Sequence, residues 1–88
     1  MARTMSIRMD DENYKFLRRF SKDEKGDMSS AVRELLNKGR VAMAVERYRE
    51  DKVSLGKAAE LAGVRVGELM DILARLGVEA GLTKGDVF

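Results

Sequence analysis

From Thr4 to Met9 the side chains alternate, with Thr4, Ser6 and Arg8 polar and Met5, Ile7 and Met9 apolar. A period of two sends successive side chains to opposite faces of an extended strand. The next three residues, Asp10, Asp11 and Glu12, read as the start of a helix, so the strand has no sheet partner nearby in its own chain. A lone strand is marginal in water. Pairing with the same segment of a second chain across a two-fold axis is the economical remedy. The expectation is an intermolecular two-stranded antiparallel ribbon that buries Met5, Ile7 and Met9. It presents two copies of Thr4, Ser6 and Arg8, and such a ribbon fits the major groove of DNA.

A chain of 88 residues makes one domain or two very small ones, and help from a second subunit suits so small a core. There is no cysteine and no histidine. Disulfides and thiol chemistry are therefore excluded, and the commonest general base and metal ligand is missing. No catalytic, metal or cofactor site is expected, and the adjacent acids Asp10-Asp11-Glu12 and Asp23-Glu24 suit helix edges rather than catalysis. The N-terminus shows no signal-peptide pattern and no apolar run approaches a membrane span, so the expected location is the cytoplasm, with no membrane partner. The net charge is +2, but residues 1–50 carry +3 and residues 51–88 carry −1. Local positive charge at the N-terminal end, not bulk charge, is what phosphate attraction would use.

Asp10 suits an N-cap, with Asp11 and Glu12 in the first turn. Asn13, Phe16, Leu17 and Phe20 then share one helix face in a helix expected to run to about Asp23, with a break at Lys25-Gly26-Asp27. Ser29 reads as the cap of a second helix whose face holds Val32, Leu35, Leu36 and Gly39. Gly39 either ends this helix or lies inside a longer one that continues through Val41, Ala44, Val45 and Tyr48. Glu50-Asp51-Lys52 is the internal boundary, dividing residues 1–50 from 51–88. Beyond it Ser54 caps a short helix, Gly63 turns the chain, and Val66, Leu69, Met70, Leu73 and Leu76 form the inner side of another helix that Gly77 stops.

Strand, helix, glycine turn and capped helix occur in the order found in ribbon-helix-helix DNA-binding proteins. Thr-Met-Ser-Ile-Arg-Met at 4–9, Asp10-Asp11-Glu12, Gly26 and Ser29-Ser30-Ala31-Val32-Arg33 carry a resemblance over residues 2 to about 39. The resemblance implies base contacts from Thr4, Ser6 and Arg8 and phosphate contacts from Arg3, Ser29 and Ser30. It also implies a dimer core of Met5, Ile7, Met9, Phe16, Leu17, Phe20, Val32, Leu35 and Leu36.

Residues 55–70 have helix-turn-helix spacing about Ala59, Gly63 and Leu69. Glu68 and Asp71 on the second helix would repel phosphate. The run Lys52-Val53-Ser54-Leu55-Gly56-Lys57-Ala58-Ala59-Glu60-Leu61-Ala62-Gly63 is similar to the UPF0175 group of small prokaryotic proteins, thought to include antitoxins. That likeness covers about residues 41–85. It implies a partner toxin, with a PIN-type ribonuclease the expected kind, and the apolar Leu82, Val87 and Phe88 suit a partner's groove.

The combined expectation is a mainly α protein: a ribbon-helix-helix dimer followed by a small helix-turn-helix-like segment. Its function would be that of an antitoxin that binds operator DNA as a homodimer, represses its own operon and neutralises a toxin. The alternative is a ribbon-helix-helix repressor with no toxin partner.

Overall fold

The computed structural model describes residues 3–78. Four α-helices follow in order: α1 (Asp11–Phe20), α2 (Met28–Arg49), α3 (Leu55–Ala62) and α4 (Val66–Arg75). A wide π-type turn, Ser21–Lys25, extends α1 before α2 begins. Two compact units are distinguished, Met1–Leu35 and Leu36–Phe88.

No strand occurs among the described residues, and Arg3–Asp10 carries no regular secondary structure. The ribbon-helix-helix expectation is therefore corrected: among the described residues the fold is all-helical and no ribbon is present. Period-two alternation is a property of side chains, whereas a strand exists only where its backbone finds a hydrogen-bonding neighbour. Here the helix that starts at Asp11 removes any such neighbour from the adjoining chain.

In the first unit, α1 begins as its sequence dictates. Asp10 has extended backbone geometry and its carboxylate accepts from the Asn13 backbone N–H at 3.1 Å and from the Asn13 side-chain amide at 2.9 Å. The acids of the first turn and Arg18 and Arg19 of the last are placed to suit the helix dipole. α1 stops being α-helical at Phe20 rather than near Asp23. Gly26, with φ +85°, closes the turn by donating its N–H to the Ser21 carbonyl. A left-handed backbone there suits glycine because it has no Cβ to clash.

Helix α2 starts one residue before Ser29, and its cap is Asp27 rather than Ser29. The Asp27 carboxylate accepts from the Ser30 N–H at 2.8 Å and from the Ser30 hydroxyl at 3.1 Å. Both residue types are good caps. The turn at Gly26 decides between them by setting where helical geometry can begin. Gly39 lies inside α2, which continues for ten residues beyond it to Arg49.

The second unit has a wholly apolar core. Ala44 and Val45 of α2, Ala58, Ala59 and Ala62 of α3, and Leu69 and Leu73 of α4 are buried together. Val41, Tyr48, Val53, Leu55, Val64, Ile72 and Val78 pack around them. The alanines of α3 let it lie close against α4, while Leu69 and Leu73 fill the interior that these helices share with Ala44 and Val45 of α2. Ser54 caps α3 through a 3.1 Å bond from the Lys57 N–H, as its sequence predicts. Gly63 and Gly77 end α3 and α4 with left-handed backbones. Each closure pairs two hydrogen bonds: Val64 N–H to the Ala59 carbonyl with Gly63 to Glu60, and Val78 to Leu73 with Gly77 to Ala74. These satisfy carbonyls that a helix end otherwise leaves without partners.

Candidate functional site

Among the described residues three surfaces are candidates. The first is the arm, Arg3–Asp10. All its side chains are exposed, including Arg3, Thr4, Ser6 and Arg8, the residues expected at DNA. Met5 is 78% exposed and Ile7 64%, so the apolar half of the alternation is uncovered as well.

The second surface is the apolar side of the first unit. Of its expected dimer-core residues only Leu17 is buried; Phe20 and Leu35 are half-buried. Phe16 and Val32 are exposed, as are Met9 of the arm and, across the division between units, Leu36. Phe16 and Phe20 stack on one another with ring centres 6.0 Å apart and planes within 8° of parallel. Among the described residues of this unit, Leu17 and Ala31 are the buried apolar ones. At the start of α2, Ser29 is exposed and Ser30 half-buried. The backbone N–H of Ser30, expected to grip a phosphate, is instead held by Asp27. The same bonds, with a smaller contribution from Arg33, hold the Asp27 carboxyl below its ordinary value of 3.8.

The third surface is a groove in the second unit, about 710 Å³ in volume, between α2 and the end of α4. Val41, Ala42, Val45, Ile72 and Leu76 are its apolar lining, and Lys38, Glu46, Arg49 and Glu50 line it with charge of both signs. The exposed face of α4 adds Val66 and Met70, and the acids Glu68 and Asp71. Glu68 accepts from the Arg65 N–H at 3.0 Å, and this bond, helped by the Arg65 charge, lowers its carboxyl from the ordinary 4.5. Arg65 and the exposed Arg75 balance these acids, so the exposed part of α4 carries apolar residues among mixed charges, a composition suited to protein.

Sequence reasoning did not find Arg40 or the groove. The Arg40 Nε donates to the Leu61 carbonyl at 3.0 Å, and its second amino group reaches the Glu60 carbonyl. A cation here meets the negative end of α3. The contact joins residues more than twenty positions apart, and no local pattern announces it. Leu82, Val87 and Phe88, expected to bind a partner, lie outside the described residues. Among the described residues no cluster of metal-ligating side chains occurs and no helix is long and apolar enough to cross a membrane.

Comparison with known proteins places the chain in a family. The profile of UPF0175, an uncharacterised protein family, matches residues 22–87. The chain belongs to this family. The match takes in residues 22–39, the stretch whose glycine turn and capped helix suggested a ribbon-helix-helix module. Among curated proteins, the UPF0175 protein VNG_0066H of Halobacterium salinarum is 47% identical over 55 residues, which is 59% of this chain and 56% of the relative. The chain thus covers little more than half of that relative's length. No solved structure matches it.

Proposed function

We propose that this protein is the DNA-binding antitoxin of a type II toxin–antitoxin pair, a homodimer that represses its own operon and neutralises a toxin of the PIN ribonuclease kind. Its role is binding, not catalysis. One observation carries the reading: the first unit buries Leu17 and Ala31 while leaving Met5, Ile7, Phe16 and Val32 exposed. A unit with so small an interior gains little from folding alone, and uncovered apolar surface of this extent suits coverage by another protein. The apolar part of the second unit's groove, Val41, Val45, Ile72 and Leu76, supports a protein partner there, and in this reading the toxin is bound by residues 51–88 with that part of α2. DNA falls to the arm, where Arg8 supplies a two-pronged donor to a base and Thr4 and Ser6 less selective contacts. Arg3 supplies the phosphate contact. A phosphate at Ser29 and Ser30 would have to displace Asp27, so that contact is not retained.

The test is co-expression with the adjacent reading frame, followed by growth, complex size and retardation of upstream DNA. The expected result is rescue from a toxic neighbour, a stable complex, and retardation that weakens with salt. Arg8→Ala should lower affinity for the preferred sequence by about 1–3 kcal/mol and relax selectivity at one position. A neighbour that is neither toxic nor bound, with DNA still retarded, would reduce the protein to a simple repressor. Equal losses on every sequence would remove base reading from Arg8.

A further inference from the structure

Helix α2 is apolar on two opposite sides. Val41, Ala44, Val45 and Tyr48 turn into the core of the second unit. On the other side stand Leu36, Gly39, Ala42 and Met43, with Leu36 62% exposed and Met43 39%. An apolar side of a helix is normally buried against another element. A glycine in a helix interior costs about 1 kcal/mol against alanine. Among the described residues nothing accounts for it, since a Cβ at Gly39 would meet no atom within 4 Å.

The arrangement of this uncovered side is symmetric. Leu36 and Ala42 lie three residues either side of Gly39, and Met43 and the half-buried Leu35 four residues either side. A two-fold interface requires that kind of surface, because each patch must match itself turned end for end. We infer that a second copy of this chain packs its α2 across this face, with the two-fold axis through Gly39. Leu36 then lies over Ala42 of the second copy, and Met43 over Leu35, a large residue against a smaller or flexible one in each case. Leu35, Gly39 and Met43 form one ridge of residues four apart. Two such ridges interdigitate at a crossing angle of about −50°. Glycine at the crossing point lets the helix axes approach to roughly 8 Å, the near end of the usual range. A foreign helix would need no such symmetry, so the pattern selects a copy of the same chain. This inference concerns the dimer and stands or falls apart from the toxin.

The test uses the full chain, which has no cysteine of its own. Residues on a two-fold axis meet their own copies, and over the usual axis separations of about 8–10 Å facing Gly39 Cα atoms lie roughly 3.5–5.5 Å apart, overlapping the range a disulfide spans. Gly39→Cys should therefore form a covalent dimer under mild oxidation at least tenfold faster than Gly56→Cys. Gly56 is the control because it is an exposed helical glycine with equally open space at its Cβ. Gly39→Ala supplies a second readout. It should weaken association at least tenfold in sedimentation equilibrium while raising the helicity of the monomer. A wild-type chain that stays monomeric across the concentration range overturns the inference. So does a dimer in which Gly39→Cys crosslinks no faster than Gly56→Cys, or one that Gly39→Ala leaves equally tight; in both cases antitoxin activity can survive.

Discussion

Gly63 shows how one residue can be constrained twice. Its φ of +78° lies in the left-handed region, and an added Cβ would sit 2.9 Å from a guanidinium nitrogen of Arg40. The first constraint costs an L-residue about 1–2 kcal/mol. The second depends on a side chain that can move, at the expense of its bond to the Leu61 carbonyl. Gly63→Ala should therefore lower stability in urea by about 1–2 kcal/mol or somewhat more, and by less in an Arg40→Ala background. Asp27 makes a different residue-scale prediction. Its carboxyl is held below 3.8 chiefly by the Ser30 N–H, so its contribution is complete above that ordinary value and is lost as pH falls through the lowered one. Asp10 and Glu68 act in the same direction through bonds from Asn13 and Arg65. Asp27→Asn keeps a capping oxygen without the titration. Between neutral pH and about pH 2.5 its urea midpoint should fall less than that of the wild type. An equal fall in both would show that Asp27 does not contribute to acid sensitivity.

At the scale of elements, α3 and α4 depend on different terms. α3 is an eight-residue helix, too short to persist by itself, so its Ser54 cap and its alanine face are both needed. Ser54→Ala should cost about 1 kcal/mol, read as a shift in the denaturation midpoint with an unchanged slope. α4 brings the two largest fully buried side chains, Leu69 and Leu73. Leu73→Ala should cost about 2–5 kcal/mol, enough to leave so small a core largely unfolded. The ends of both helices were legible because each depends on a glycine placed beside a periodic apolar run. The beginning of α2 was not. Asp27 and Ser29 are both competent caps, and the choice rests on the backbone turn at Gly26, whose geometry a string of residue types does not carry.

For the whole molecule, the contrast between the units matters most. The second closes a small apolar core from three helices, whereas the first buries Leu17 and Ala31. In dilute solution, hydrogen exchange should therefore be slowest at core amides of α2, α3 and α4 between residues 44 and 73, and fast throughout α1. If a second copy covers the outer side of α2, the melting temperature should rise with protein concentration. A melting temperature independent of concentration would deny the dimer. The candidate surfaces were only partly readable beforehand. Phe16, Val32 and Leu36 were picked out as apolar helix positions, and they are exposed within one chain. The groove was not, because Ile72 and Leu76 meet Val41 and Val45 only after α3 has reversed the chain.

By itself the sequence settles what depends on near neighbours. Asp10 and Ser54 begin helices, glycine at 26, 63 and 77 ends them, Leu69 and Leu73 point inward, and the run around Ser54–Gly63 carries the family. Caps, left-handed turns and helical faces all act within about five residues, so residue order suffices. Tertiary structure decided the rest. It leaves Thr4–Met9 without a strand, because a strand needs a partner that alternation cannot supply. It sets Arg40 against the end of α3, and it leaves one apolar side of α2 uncovered. Those outcomes depend on which distant groups meet, and that is decided by packing rather than by the order of neighbours along the chain.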